Sequence, residues 1–179
     1  MDKPKIVMLT TGGTIVSSGT NAGQMTGYTF LGIQVSDLLE SIPPLADVAE
    51  IELEEPYRLP SSCVNMEAWL KLAQAVEKAC DREDVNGVVI THGTDTLAYA
   101  AATLSCLLQH SEKPIVLTGA QLPMGVPGSD AAENLKDAFA WALSEGARGV
   151  RIVFAGRVIR GLRARKRHTT DPDAFESVG

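Results

Sequence analysis

Cysteine is scarce in this sequence: Cys63, Cys80 and Cys106 are the only ones in 179 residues. An odd count without framework spacing argues against a disulfide scaffold and for a reducing compartment, so a cytoplasmic protein is expected. The amino terminus has neither an apolar h-region nor a cleavage site, so no secretory signal is expected. Apolar runs of the ~20 residues that a membrane span requires are missing as well. No second histidine, cysteine or acid stands at ligand spacing from His92, which argues against a metal centre. The Gly-Lys-Ser/Thr ending of a phosphate-binding loop is also absent, and no cofactor is expected.

What the chain has is a large apolar fraction, 45%, in a length that suits one domain with a sizeable core. Its net charge is -6 and its pI about 5.1, a balance unsuited to general nucleic-acid binding. The local exception is Arg157, Arg160, Arg163, Arg165, Lys166 and Arg167, a run with no acid inside it. It reads either as an anion or nucleic-acid patch or, in better keeping with the acidic whole, as a solvated hairpin at a subunit contact.

Apolar, β-branched segments alternate with helical patterns along the chain. Strands are expected at Lys5 to Thr10, Val48 to Leu53, Val85 to Thr91, Pro114 to Thr118 and, last, Gly149 to Ala155. Helices are expected at Asn65 to Cys80, Asp95 to His110 and Ser129 to Ser144, the first capped by Asn65 and the third ended by Gly146. A short apolar stripe from Val35 to Ile42 stops at Pro43-Pro44, and Thr11 to Gly27 reads as a long functional loop. Strands apolar on both faces predict a single α/β domain: three layers, a mostly parallel sheet with helices on both faces, flavodoxin-like or Rossmann-like. Asp171 to Gly179 reads as a docked tail or the point where a longer chain continues.

Two strands end alike. Ile6 to Thr14 and Val88 to Thr96 each run from buried apolar residues into a small, hydroxyl-rich Gly-Thr end. Ligands of open α/β sheets bind outside the carboxyl ends of strands, so the pair can place two threonine hydroxyls over one site. Thr10 to Ile15 reads as a nucleophile loop whose glycines open backbone N–H groups to a carbonyl; the alternative is an ordinary Gly-rich turn. Thr94 beside Asp95 supplies a hydroxyl and a carboxylate on one turn; the alternative is that either merely caps a helix. His92 is set aside as the base, because it follows the strand directly and is placed for packing. Trp69 and Trp141 lie on helix faces and are expected in the core.

At these motifs the sequence resembles the bacterial-type L-asparaginase family. The resemblance lies in Thr11-Gly-Gly-Thr-Ile15 and His92-Gly-Thr-Asp-Thr96. It continues in Gly27-Tyr-Thr29, Ser61-Ser62, Thr118-Gly-Ala120, and Lys166 with Thr169-Thr-Asp171 and Phe175. It implies hydrolysis of L-asparagine to L-aspartate and ammonia through a covalent acyl-enzyme. By position it makes Thr14 the nucleophile and Tyr28 its activating neighbour, with Thr94, Asp95 and Lys166 as a second catalytic group. Asp95 would also hold the substrate's α-ammonium, Ser61 and Ser62 its α-carboxylate, and backbone near Ala120 its side-chain amide. The family has a glutamine where Ser62 falls, a departure expected to loosen the grip on substrate. An ion pair with Asp95 favours charged lysine, so Lys166 is expected as a proton relay or electrostatic anchor rather than a free base.

Long members of the family carry a second, smaller carboxy-terminal domain that contributes an acidic residue near the tyrosine. The expectation here is a catalytic domain over residues 1–179 without it, either a short-chain form or the amino-terminal part of a longer one. A homo-oligomer in which a neighbouring subunit covers the open site is expected, with L-asparagine as the small-molecule partner, no membrane and no nucleic acid. The alternatives are a related amidase acting on glutamine or a transfer-RNA-linked amide, and an amino-acid-binding module without turnover.

Overall fold

The computed structural model describes residues 3–16 and 42–179. A six-stranded sheet forms the centre. In chain order its strands are β1 (Lys5–Thr10), β2 (Glu50–Glu54), β3 (Gly87–Thr91), β4 (Pro114–Thr118), β5 (Gly149–Phe154) and β6 (Arg157–Arg160). The order across the sheet is β2-β1-β3-β4-β5-β6, parallel throughout except for the antiparallel β6 at one edge. The central strands β1, β3 and β4 are buried on both faces, as their unbroken apolar runs require.

Helices α1 (Pro43–Val48), α2 (Met66–Cys80), α3 (Leu97–Leu107) and α4 (Ala131–Ala142) cover the sheet. Val7, Leu9, Val88, Ile90, Leu117 and Ile152 face α2 and α3. Ile6, Met8, Val89, Val116 and Val153 face α1 and α4. The alternation of β1 between these clusters is the period of two that sends successive side chains to opposite faces. The three-layer α/β architecture read from the sequence is the one observed.

Helix α2 carries Leu72, Ala73 and Val76 on its buried stripe, and the Asn65 side chain accepts from the Ala68 N–H at 3.0 Å. That bond satisfies one of the donors left open in a first helical turn. Helix α4 buries Leu135, Ala138, Phe139 and Ala142, as its spacing predicts.

The remaining boundaries differ from expectation. Pro43 and Pro44 begin a helix: proline suits a first turn, where its missing N–H has no partner to lose. Val48 therefore ends α1, half exposed, and β2 starts only at Glu50. The Val35 to Ser41 part of the stripe lies outside the described residues. Helix α3 spans Leu97–Leu107 rather than Asp95 to His110, because the Thr96 hydroxyl donates to the Ser61 carbonyl at 2.9 Å instead of capping. Helix α4 ends at Ala142, and Gly146 lies in the turn beyond it. Strand β5 is not the last. Ala155 at φ 50° and Gly156 at φ 71° reverse the chain, the pair of positive φ values that a tight hairpin needs, and β6 returns beside β5.

The end of the chain docks. Strands β7 (Ala164–Lys166) and β8 (Phe175–Ser177) form an antiparallel ribbon. Phe175 is buried and meets Phe154 of β5 edge-on, ring centroids 4.9 Å apart. The basic run is thus divided between an edge strand, a 3-10 turn at Gly161–Arg163 and this ribbon. Acids from outside the run pair with part of it: Asp173 with Arg157, Glu176 with Arg165 and Arg167, and Asp95 with Lys166. Among the described residues, no helix is long and apolar enough to cross a membrane.

Candidate active site

The parallel register brings Thr10, Thr91 and Thr118 level, so β1, β3 and β4 all end at one side of the sheet. Each strand is followed at once by a glycine-containing turn. The Thr11 N–H and hydroxyl both donate to the Thr91 carbonyl, at 3.1 and 2.9 Å, tying the first turn to the second. Gly13 has φ 88°, and a Cβ there would stand 2.5 Å from the Gly93 nitrogen. Both the left-handed backbone and the space demand glycine. A Cβ on Gly93 would fall 2.5 Å from the Ser61 Oγ. The turns after β1 and β3 are therefore in backbone contact, and the Ser61 side chain packs onto the Gly93 backbone.

Thr14 stands one residue beyond Gly13 and Thr94 one residue beyond Gly93, so the two threonines flank a single contact. Thr14 opens the 3-10 turn Thr14–Val16 and is half-buried, while Thr94 is buried. Lys166 reaches them from β7. Its Nζ donates to the Thr94 Oγ1 at 2.8 Å and to the Asp95 Oδ1 at 2.9 Å. The seating of Phe175 explains the reach: it pairs across the ribbon with Lys166, so burying the ring fixes the lysine over the end of β3. Thr94 and Asp95 both spend their side chains on Lys166, and neither caps α3.

Ser61 is buried against Gly93, whereas Ser62 is exposed. Ala120 is buried in the turn after β4. Tyr28 lies outside the described residues. His92 is 1% exposed; its Nδ1 bonds to the Gly93 carbonyl at 2.9 Å and its Nε2 has no partner among the described residues. Burial holds the imidazole below its ordinary pKa, so it sits neutral in packing, as its place after the strand suggests.

Sequence reasoning missed three residues. Gln121 accepts from the Thr94 hydroxyl at 3.2 Å and donates from Nε2 to the carbonyls of Thr169 and Asp171, both at 3.0 Å. Asp130 accepts the backbone N–H groups of Gln121 and Leu122 and an amide hydrogen of Asn134. Asn134, 1% exposed, also donates to the Gly119 carbonyl and accepts from the Ala155 N–H. The signal for Asn134 was a polar side chain on the buried stripe of α4; Gln121 had only its place at a strand end. Together these bonds hold the turn after β4 rigid beside Thr94.

The site thus offers a threonine hydroxyl held by an ammonium, a partly exposed carboxylate, and glycine turns with close backbone approach. Known proteins resemble the chain along nearly its whole length. It is 38% identical to a glutaminase-asparaginase of Pseudomonas aeruginosa over 174 residues, 96% of this chain and 48% of that protein. It is 37% identical to one component of the glutamyl-tRNA(Gln) amidotransferase of Thermococcus kodakarensis, over 98% of this chain and 40% of that one. Among solved structures, the thermostable L-asparaginase of Thermococcus kodakarensis superposes with a TM-score of 0.83 at 36% identity, covering 97% of this chain and 51% of that one. The chain spans about half the length of these relatives or less. Residues 5–179 match the family described as "Asparaginase, N-terminal", and the chain belongs to the asparaginase family.

Proposed function

We propose that this chain provides the catalytic domain of an amidohydrolase that converts L-asparagine to L-aspartate and ammonia. The observation that carries the reading is Lys166 held 2.8 Å from the Thr94 hydroxyl and 2.9 Å from the Asp95 carboxylate, beside the Gly13–Gly93 contact that Thr14 and Thr94 flank. Thr14 attacks the side-chain amide carbon, and Tyr28 assists removal of its proton. Ammonia leaves with a proton, and an ester forms on Thr14. Water then cleaves the ester. Thr94, held by the charged Lys166, accepts a hydrogen bond from the attacking water, and the water's proton returns to the departing Thr14 oxygen. Backbone N–H groups of the glycine turns, with backbone near Ala120, face the developing oxyanion, each such donor worth ~10²–10³-fold.

Asp95 binds the α-ammonium, and its side chain is 62% exposed, open enough to take a second cation beside Lys166. Ser61 and Ser62 bind the α-carboxylate. The chemistry uses the protein's own groups, with no metal or cofactor. Free Cys63, Cys80 and Cys106 fit work in the reducing cytoplasm. A second copy of the chain covers the site; light scattering on the active species checks this, and a fully active monomer contradicts it. The deciding assay is ammonia release from asparagine beside glutamine. Asparagine binding without ammonia, seen by titration calorimetry, would make the protein a binding module instead.

One observation favours a second reading, an amide carried on transfer RNA. Arg148, Arg151, Arg160 and Arg163 have no Asp or Glu carboxylate within 4.0 Å among the described residues, whereas Arg58, Arg82, Arg157, Arg165 and Arg167 each have one. Arg151, Arg160 and Arg163 line one cavity of about 230 Å³. A steep loss of transfer-RNA affinity with salt, together with ammonia release only from the RNA-linked amide, would favour this reading.

A further inference from the structure

Gln121 lies outside the catalytic set just proposed, yet both ends of its side-chain amide are hydrogen-bonded at the site. Its Nε2 faces two backbone carbonyls, Thr169 and Asp171, both at 3.0 Å. Carbonyls only accept, so the amide has one orientation, with Oε1 turned to Thr94 at 3.2 Å. Oε1 also only accepts, so the Thr94 hydroxyl hydrogen must point at Gln121. The other neighbour of Thr94 is the Lys166 ammonium at 2.8 Å, a pure donor that fills one lone pair of the hydroxyl oxygen. Among the described residues no other group approaches it, so one lone pair remains.

We infer that Gln121 is a positioning residue that makes Thr94 a hydrogen-bond acceptor toward whatever enters the site. With its hydrogen held by Gln121, Thr94 greets an N–H or O–H donor, such as a side-chain amide or an attacking water, and has no hydrogen to offer a carboxylate. The same amide ties this orientation to residues 169–171, so the chain end that carries Lys166 is coupled to Thr94 twice, through the lysine and through Gln121. Asp130 fixes the backbone of Gln121 from the other side, with both carboxylate oxygens 3.0 Å from its N–H.

The inference rests on amide hydrolysis at this site, and its test separates the two. Gln121→Met keeps the volume and removes both ends of the amide; Gln121→Glu restores the acceptor to Thr94 but not the tether. For the asparagine reaction, Gln121→Met is expected to lower kcat about 10-fold or more with KM changed less than about 3-fold, since the contact serves turnover rather than general binding. Gln121→Glu is expected to recover part of that loss. Equal kcat in wild type and Gln121→Met, or equal damage in both variants alongside equal loss of Tm, overturns the inference. A second readout needs no turnover. Exchange of the Thr94 hydroxyl, followed by the isotope shift on its Cβ in mixed light and heavy water, is expected to be slow in wild type and fast in Gln121→Met. Fast exchange in both overturns the inference even where wild type releases no ammonia, an outcome that by itself defeats only the hydrolase reading.

Discussion

Gly13 and Gly93 touch through their backbones: a Cβ on Gly13 would stand 2.5 Å from the Gly93 nitrogen and 2.6 Å from its Cα. No flexible side chain can yield there, and the φ of 88° at Gly13 is one that L side chains rarely adopt. Gly13→Ala should therefore cost at least about 2 kcal/mol, of which ~1–2 comes from the left-handed backbone alone. The turns must part for the protein to fold, so turnover should fall further than stability does. Denaturant midpoints beside ammonia release check this; a variant as stable and active as wild type would show that the turns are not in contact.

The Phe154–Phe175 pair connects packing to chemistry. Phe175→Ala should cost about 3–5 kcal/mol, the usual penalty for emptying a buried aromatic site. It should also release the ribbon that carries Lys166, so residual folded protein should turn over slowly. Phe175→Leu should keep most of both. If Phe175→Ala destabilised the fold but left kcat per folded molecule unchanged, the ribbon would not be what positions Lys166.

His92 sets a pH dependence of stability. The buried imidazole is held below its ordinary value of 6.5, while in the unfolded chain it titrates normally. Below that value the unfolded state takes up a proton that the folded state refuses, so stability falls as pH drops. The loss should begin near pH 6.5 and continue as the pH falls toward the imidazole's lowered folded value, and His92→Gln should flatten the slope there. Urea midpoints at intervals across this window, for both proteins, measure the difference; equal slopes would mean that His92 titrates normally when folded. Glu176, held low by the Arg165 guanidinium, adds a dependence of the same sign, lost as pH falls through its folded value.

The sequence made the sheet legible because its central strands are buried on both faces and say so in every residue. The two Gly-Thr ends were legible for a related reason: a strand must stop where small polar residues replace β-branched ones, and ligands of open α/β sheets bind beyond the carboxyl ends of strands. Helix α1 was hidden because Pro-Pro reads as a barrier, though it suits a first turn as well. The edge strand β6 was hidden by its charges, which an edge tolerates and a central strand would not. Lys166 could be named only through resemblance to relatives, since its contact with Thr94 spans 72 residues. Gln121 was illegible for the same reason: its partners Thr169 and Asp171 are 48 and 50 residues away and present only backbone carbonyls.

The central claim is that Thr14 forms a covalent bond to the substrate where the ends of β1 and β3 meet. It is tested most directly by the rate of ammonia release from L-asparagine by Thr14→Ala, set against wild type at matched folded concentration. The account predicts a loss of at least about 10³-fold, comparable to removing a nucleophile elsewhere, with the denaturation midpoint unchanged. A Thr14→Ala protein that releases ammonia at the wild-type rate would contradict it.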